Sequence, residues 1–298
     1  MNGLIVVYKE KGWTSHDVVA KLRGILGTRK IGHAGTLDPQ AEGVLPVGVG
    51  KGTRILEYVG NSHKTYEGEM VFGLFSDTED LQGHLEEKPF EPGLLEESLI
   101  TRVFEELNGT TLSQLPPMYS SVKVQGKKLY EYARAGKTAE RQSRPVELFS
   151  LQPHFPVFQK EGRPCLKFTA TVSKGTYIRT LCVELGDRIG VPAVMGDLVR
   201  TEVGNFTLQE AYTLEQLAQR MEGRDMGFLR TLRSGIAGEM EELQLGDADY
   251  ERIRLGQKIP VPRPFPEDLL LAGIWRDELV CILRNDGGLL RIIKNVGV

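Results

Sequence analysis

The 298 residues are enough for two domains, or for one large domain with a small addition. With 40% apolar and 26% charged residues the composition is that of an ordinary globular protein, and the absence of a run of about 18 apolar residues excludes a membrane-spanning helix. A net charge of −3 excludes a strongly basic protein whose overall field attracts polyanions. The three cysteines lie far apart without metal-ligand spacing, so we expect buried, reduced thiols in a cytoplasmic protein.

Apolar spacing and turn residues predict the first elements of the chain. The opening residues favour a strand over a signal peptide, because they lack a basic start and a long apolar stretch. Thr14 and Asp17 form a capping-box pattern, which predicts a helix that ends before Gly27. Strands are predicted at 3–8, 44–50 and 64–73, and the turn GHAGTLDP occupies 32–39.

The middle of the chain alternates irregularly between helical and extended patterns. Helices are predicted at 92–107, 177–189, 213–222 and 227–234, and strands at 146–158, 164–173 and about 197–203. Between them, residues 110–145 are polar and basic, which predicts an excursion from the sheet that lies outside the core. This mixture lacks regular strand–helix–strand alternation and therefore predicts an α+β fold, with a mixed, largely antiparallel central sheet flanked by helices.

The pattern of polar and apolar residues changes again after residue 243. The stretch DADYERIRLGQ predicts a short helix, and three apolar stretches that follow predict strands, two of them joined by a tight turn at 276–278. We therefore predict a large domain at 1–243 and a small β-rich domain at 244–298.

Charge is distributed unevenly along the chain. Residues 76–106 carry ten acidic side chains, and residues 121–146 carry seven basic ones. This pattern is compatible with one local anion-binding face on an otherwise acidic protein, and equally with two ordinary solvated faces.

Familiar cofactor and metal motifs are absent from the sequence. GVGKGT at 48–53 fails the phosphate-loop pattern, because Leu45 replaces the first glycine and Gly52 replaces the Ser or Thr after the lysine. The five histidines are scattered and form no HxxxH or HExxH pair. We therefore expect neither a cofactor nor a metal ion.

The GHAGTLDP turn is the remaining candidate for chemistry. An aspartate has a reference pKa of about 3.9, so a nucleophilic carboxylate needs no base to ionise it at neutral pH. Gly32 and Gly35 permit a tight turn and close approach of a ligand. The residues alone leave four alternatives open. Asp38 acts as a nucleophile, Asp38 pairs with Glu42 as in glycosidases, the aspartate belongs to a Ser/His/Asp triad although no GxSxG motif is present, or the segment is only a turn.

Five segments together resemble the TruB-type tRNA pseudouridine synthase family. They are KGWTSHDVVAKLR, GHAGTLDPQAEGVLPVGVGKGTRI, KTYEGEMVFG, PPMYSSVKVQGKKLYEYARAG and SKGTYIRTL, and they occur in the family's order from about residue 3 to 206. The C-terminal domain is similar to the family's PUA-type RNA-binding module. The resemblance implies the pseudouridine synthase fold and isomerisation of uridine 55, in the T-arm of tRNA, to pseudouridine.

The resemblance also implies roles for particular residues. Asp38 aligns with the catalytic aspartate, and attack on C6, attack on C1′ and promotion of a glycal all remain open as its action. Tyr66 aligns with the family's catalytic tyrosine, which stacks on the flipped base and is implied to serve in removing the C5 proton. Arg179 aligns with the arginine paired to the catalytic aspartate. Without the resemblance, Tyr66 would be predicted to pack in the sheet and Arg179 to be a solvated helix residue.

Further positions would contact the substrate RNA. Tyr177 and Leu198 match residues lining the uracil pocket, and His33 matches a histidine that stabilises the gap left by the flipped nucleotide. Base flipping is required because the target atom is unreachable inside the folded T-loop. Contacts to the RNA backbone are predicted for basic residues, most of them in the 110–145 insertion: Lys64, Lys123, Lys127, Lys128, Arg134 and Arg141.

We therefore predict a monomeric cytoplasmic enzyme that acts on the T-stem-loop of tRNA without a protein partner. Two alternatives remain. One is an RNA-binding or tRNA-folding chaperone with vestigial catalysis, and the other is the catalytic subunit of a guide-RNA particle.

Overall fold

The computed structural model describes residues 1–262 and 265–297. Within this part the chain forms two compact units. The first unit contains residues 1–62 and the described residues from 202 onward, and the second contains residues 63–201.

Eighteen strands are defined in the described residues. They are β1 (Gly3–Lys9), β2 (Ile31–His33), β3 (Glu42–Val49), β4 (Lys64–Phe72), β5 (Leu74–Ser76), β6 (Leu85–Glu87), β7 (Thr111–Gln114), β8 (Lys123–Val124), β9 (Lys127–Lys128), β10 (Arg144–Lys160), β11 (Arg163–Val172), β12 (Ala193–Val203), β13 (Phe206–Thr207), β14 (Glu241–Gln244), β15 (Ile259–Pro260), β16 (Leu270–Trp275), β17 (Glu278–Asp286) and β18 (Leu289–Asn295).

Seven α-helices accompany them in the same residues. They are α1 (Ser15–Ile25), α2 (Leu56–Val59), α3 (Glu97–Leu107), α4 (Leu129–Arg134), α5 (Ile178–Ile189), α6 (Leu214–Glu222) and α7 (Asp247–Arg254). The predicted capping box of α1 is confirmed, because the Asp17 amide donates to Thr14 Oγ1 and the Thr14 amide donates to the Asp17 carboxylate, both at 3.0 Å.

The first unit is built around strand β1, whose LIVV run is buried on both faces. Side chains alternate across a strand, so Leu4 and Val6 enter one apolar cluster while Ile5 and Val7 enter another. The second cluster is closed by α1, which contributes Val18, Val19 and Leu22. β1 and β2 both pair antiparallel with β3. This arrangement brings the GHAGTLDP turn to the connection between β2 and β3.

The C-terminal strands of this unit share a core with its N-terminal strands. They form a five-stranded sheet in the order β14-β16-β17-β18-β15, in which β14 runs parallel to β16. One face of this sheet places Ile274 and Ile282 in the same apolar cluster as Leu4 and Val6. The other face packs against α7. The predicted β-rich segment is therefore integrated with the first strands of the chain through a continuous core.

The second unit carries a sheet in the order β12-β4-β11-β10-β7. β4, β11, β10 and β7 are joined by antiparallel ladders, which run from Lys64↔Val172 to Val71↔Cys165 between β4 and β11. Helix α3 packs on the sheet with Phe104 against Phe168, their ring centroids 6.4 Å apart in an edge-to-face arrangement. β12 continues from this unit into the first.

The predicted α+β class with a largely antiparallel sheet is confirmed, with three corrections. The predicted helix at 227–234 is wrong, because the backbone N–H and C=O of Arg230 are both bonded to Leu4, which leaves no helical ladder there. The helix predicted at 92–107 begins with a 3₁₀ turn, Pro92–Leu95, and becomes α-helical only at Glu97. Residues 111–114 join the sheet as β7, although they were predicted to lie outside it.

The predicted division between residues 243 and 244 falls inside strand β14, and the two-domain organisation stays a prediction. Among the described residues, no helix has the length and apolar character needed to cross a membrane.

The shared core yields a prediction for Ile274→Ala. Ile274 is fully buried in the cluster that also holds Leu4 and Val6, so removing its side chain should lower the free energy of unfolding by about 2–5 kcal/mol. Amide hydrogen exchange should accelerate in β1 as well as in β16. Leu290→Ala is the control, because Leu290 is equally buried but belongs to the cluster on the other face of the C-terminal sheet. Exchange that accelerates in β1 no more for Ile274→Ala than for Leu290→Ala would contradict a shared core.

Candidate active site

The loop that carries Asp38 is fixed on both sides of this residue. On one side, Ser15 Oγ accepts a hydrogen bond from the Leu37 amide at 3.0 Å and lies 3.3 Å from the Leu37 carbonyl oxygen, to which it donates. On the other side, the Pro39 carbonyl accepts from the Gly12 amide at 2.8 Å. Asp38 itself is half-buried, and its carbonyl accepts from the Ala41 amide. The side chain of Asp38 is therefore carried by a backbone with little freedom.

A buried lysine completes this support. Lys9 is fully buried, and its ammonium group donates to the carbonyls of Glu10, Trp13 and Pro39 at 3.1, 2.7 and 3.2 Å. An ammonium has three N–H donors, and a buried one is tolerated only when they are satisfied. The backbone at 10–13 and at Pro39 is therefore gathered around one cation. This role of Lys9 was not predicted from the sequence, where the residue simply ends a strand.

His33 lies at the end of β2, opposite Val47 in the ladder, and is half-buried. The carboxylate of Glu42, the residue of the glycosidase-like alternative, accepts a hydrogen bond from the Tyr8 hydroxyl at 3.2 Å. Burial and the Glu42 charge raise the pKa of Tyr8. Glu42 thus has a local partner within β1 and β3.

The second unit holds Arg179 in a buried position at the start of α5. Only 4% of Arg179 is exposed, so its alternative interpretation as a solvated helix residue is wrong. Its guanidinium donates to the carbonyls of Thr78 at 3.1 Å and Tyr119 at 2.9 Å, and its Nε lies 3.9 Å from an Asp80 carboxylate oxygen. Planar donors on both edges of a guanidinium allow one side chain to tie several segments together. The predicted pairing of Arg179 with Asp38 stays a prediction.

Asp80 belongs to a compact loop at 76–83 that sequence reasoning assigned to the acidic surface. Its carboxylate accepts hydrogen bonds from the Thr78 hydroxyl at 2.6 Å and from the Gln82 amide at 2.9 Å. Its neighbour Glu79 has a left-handed backbone, with φ of 64°, and accepts from the Thr180 hydroxyl at 2.6 Å. The loop is therefore docked onto the first turn of α5. A count of acidic residues could not distinguish these inward-facing groups from solvated ones.

The remaining pocket candidates also lie in the second unit. Tyr66 on β4 and Leu198 on β12 are each 7% exposed, and the neighbouring Glu67 is exposed, as expected for successive residues of a strand. Tyr177 is the N-cap of α5, and its backbone N–H and C=O are both bonded to the Gln114 side chain. Gln114 was missed by the sequence analysis, since a single glutamine after a short polar run carries no recognisable pattern. The roles of Tyr66, Tyr177 and Leu198 stay predictions.

The basic insertion presents most of its charge to solvent. β8 and β9 form a hairpin whose turn residues, Gln125 and Gly126, both have positive φ, and α4 follows directly. Tyr130 lies between two cations, with Lys128 Nζ and the Arg134 guanidinium each 5.4 Å from its ring centroid. Exposed positions in this insertion include Lys123, Lys127 and Arg134.

Two of the residues predicted to contact the RNA backbone are not fully exposed to solvent. Arg141 is half-buried and donates to the Pro116 carbonyl at 2.9 Å, so it closes the insertion on itself. Lys64 is only 6% exposed at the start of β4. Both assignments to the RNA backbone stay predictions.

As for a metal ion, the described residues contain no group of three or more His, Cys, Asp or Glu side chains placed to bind one.

Comparison with protein families identifies the class of the protein. Residues 23–178 match the TruB family pseudouridylate synthase N-terminal domain, and residues 179–242 match the tRNA pseudouridylate synthase B C-terminal domain. The protein is therefore a pseudouridine synthase. Within that class, the chain belongs to the TruB family. The predicted family and enzyme class are confirmed.

Individual relatives agree with this family. The chain is 44% identical over 285 residues to tRNA pseudouridine synthase B of Streptococcus sanguinis (strain SK36), with 96% of each chain covered. It is 42% identical over 291 residues to tRNA pseudouridine synthase B of Streptococcus pneumoniae serotype 4, with 98% of each covered. Among solved structures, it is similar to a Cbf5-Nop10-Gar1 complex at 26% identity and a TM-score of 0.76, covering 99% of this chain and 84% of that one.

The support of the Asp38 loop by Ser15 yields a second prediction. Ser15→Ala leaves the buried N–H and C=O of Leu37 without their partner, which should lower the free energy of unfolding by about 1–3 kcal/mol. Hydrogen exchange should accelerate at residues 37–41 more than in β1. Ser98→Ala, at an exposed position on α3, is the matched control. Unchanged exchange at 37–41 would show that Ser15 does not hold the loop.

Glu79 yields a prediction about pH. Burial raises the pKa of its carboxyl above the ordinary value, so the folded state binds a proton more tightly than the unfolded state. The stability from Glu79 is then fully present at low pH and is lost as pH rises through the folded-state pKa. Glu79→Gln removes this loss, so we expect it to raise the melting temperature relative to wild type at about pH 8, with the difference shrinking towards about pH 4.

Glu161→Gln is a close control for Glu79→Gln. Glu161 also has a positive φ, 52°, and lies in the same unit, but its side chain is exposed in the β10–β11 turn. Glu161→Gln should show no comparable pH-dependent rise in melting temperature. If Glu79→Gln raised the melting temperature by the same amount at both pH values, a raised pKa of Glu79 in the folded state would be contradicted.

Proposed function

We propose that this protein isomerises uridine 55 in the T-arm of tRNA to pseudouridine. The supporting observation is membership of the TruB family across residues 23–242, together with relatives at 42–44% identity named tRNA pseudouridine synthase B. In this reaction the N1–C1′ bond breaks, the uracil rotates while bound, and C5 forms the new bond to C1′. N1 gains a proton and C5 loses one, so no oxidant, reductant or external nucleophile is consumed.

Asp38 is the proposed group that acts on the target nucleotide. The backbone on both sides of Asp38 is hydrogen-bonded to Ser15, Gly12 and Lys9. This support suits a catalytic carboxylate, which must be held in a fixed orientation relative to its substrate. Tyr66 is proposed to stack on the extruded uracil, with Tyr177 and Leu198 as further walls of the pocket. The burial of Tyr66 and Leu198 supports this, because a flipped base is bound in a snug pocket, and Tyr177 is half-buried.

Arg179 is proposed to pair with Asp38. Its planar guanidinium is suited to this role, because it can hold a carboxylate through two parallel hydrogen bonds. His33 is proposed to stabilise the gap that the flipped nucleotide leaves. The exposed cations Lys123, Lys127 and Arg134 are proposed to contact RNA phosphates, where they would give salt-dependent affinity with little sequence reading.

We further propose that the protein acts on tRNA alone, as a cytoplasmic monomer. The 42–44% identity to relatives named tRNA pseudouridine synthase B exceeds the 26% identity to the Cbf5-Nop10-Gar1 complex, which is an assembly of several proteins. Three free, buried cysteines support a reducing location: Cys165, Cys182 and Cys281. Burial raises the pKa of Cys165 to about 11 and that of Cys281 to about 12, so both stay protonated thiols. Light scattering of the free protein and turnover on a bare tRNA transcript test these proposals.

Replacement of Asp38 tests the function directly. Asp38→Asn and Asp38→Ala should bind tRNA as wild type does but release no tritium from C5-labelled uridine in a single-turnover assay, because the acting carboxylate is gone. Asp268→Asn is the control, since Asp268 is an exposed aspartate. Mapping of pseudouridine in the wild-type product should locate it at position 55. Substantial turnover by Asp38→Ala would overturn the catalytic assignment, and loss of tRNA binding by both variants would support a structural role instead.

A further inference from the structure

We infer that Gln114 is a positioning residue, which fixes Tyr177 in the uracil pocket and joins the pocket to the root of the basic insertion. The inference rests on the proposed function, because the pocket role of Tyr177 comes from it. Gln114 is the last residue of β7 and is 7% exposed. Directly after it the chain leaves the sheet, and residues 115–119 form the root of the 110–145 basic insertion.

The side chain of Gln114 forms two reciprocal hydrogen bonds with the backbone of Tyr177. Its Oε1 accepts from the Tyr177 N–H at 2.7 Å, and its Nε2 donates to the Tyr177 C=O at 3.0 Å. This is the pair of bonds that a residue on a neighbouring strand would make. Tyr177 is the N-cap of α5 and makes no side-chain cap of its own. The orientation of its backbone, and hence the direction of its ring, is therefore set from outside the helix.

The same root segment also holds Arg179. The Tyr119 carbonyl, five residues after Gln114, accepts from the Arg179 guanidinium at 2.9 Å. The backbone of Gln114 pairs with Arg144 in β10, which closes the insertion at its other end. The root is thus attached to the first turn of α5 at two points, and these two points link the insertion to both Tyr177 and Arg179.

The chemistry of the contact requires an amide. A glutamine presents one acceptor and one donor, matching the N–H and C=O of Tyr177. An ionised glutamate at this position accepts from the N–H but places a second acceptor against the C=O. A protonated glutamate has an O–H and restores the donor. The length and shape are conserved, so Gln114→Glu changes only the hydrogen-bonding character.

These properties define the experiment. Gln114→Ala should lower the single-turnover rate of pseudouridine formation about 10- to 100-fold, as expected when two buried backbone groups lose their partners, and leave the dissociation constant for tRNA unchanged. Gln114→Glu should lose activity at about pH 8 and regain it, relative to wild type at the same pH, as the buried carboxyl protonates towards about pH 6. Gln152→Ala, an exposed glutamine on β10 of the same sheet, should match wild type throughout.

A second measurement does not depend on activity. Hydrogen exchange in a peptide spanning 174–182 should accelerate in Gln114→Ala, while exchange in β4 and β11 stays at the wild-type rate. If wild-type protein forms no pseudouridine in tRNA, the proposed function fails, yet the exchange result still decides whether Gln114 positions Tyr177. Should Gln114→Ala not fold, the pH profile of Gln114→Glu decides instead. Wild-type exchange at 174–182 in Gln114→Ala, or a pH-independent loss in Gln114→Glu, would overturn the inference.

Discussion

A buried cation must have its N–H donors satisfied, and this constraint organises the loops that carry the candidate catalytic residues. Lys9 and Arg179 are 0% and 4% exposed, and both direct their donors at backbone carbonyls. Backbone carbonyls satisfy these donors without carrying a full negative charge, and Arg179 has in addition the Asp80 carboxylate 3.9 Å from its Nε. In the first unit the result is a fixed backbone beside Asp38. In the second it is the gathering of the 76–83 loop and the insertion root around α5.

Rigidity at the candidate site fits the chemistry of pseudouridine formation. The substrate bond is broken and remade within one bound nucleotide, so catalysis depends on holding a few groups in fixed positions. Hydrogen bonds of Ser15 to the Leu37 backbone and of Gln114 to the Tyr177 backbone restrain residues next to or within the candidate site. Ser15 and Gln114, which make these contacts, are uncharged polar residues.

The C-terminal sheet is attached to the N-terminal strands by a shared apolar cluster and by polar contacts. Its inner face shares an apolar cluster with Leu4 and Val6, so folding of the N-terminal strands and of this sheet is coupled by burial of common surface. Ion pairs add to the contact, including Lys294 with Glu57, and Arg54 donates to the Asn295 carbonyl at 3.1 Å. A segment attached in this way contributes to the stability of the catalytic strands as well as to any RNA contact it makes.

The sequence by itself determined the family, the α+β class and most element positions, because these depend on local patterns. Capping residues marked α1, the continuous apolar run marked β1, and the motifs GHAGTLDP and GTYIRTL marked two parts of the site. Tertiary structure alone decided which polar residues are buried. Arg179, Glu79, Asp80 and Gln114 resemble surface residues in the sequence, but each has a partner 60 to 101 residues away in the chain. The helix predicted at 227–234 failed for the same reason, since Arg230 pairs with Leu4 across the fold. Local periodicity carries no information about contacts of that range.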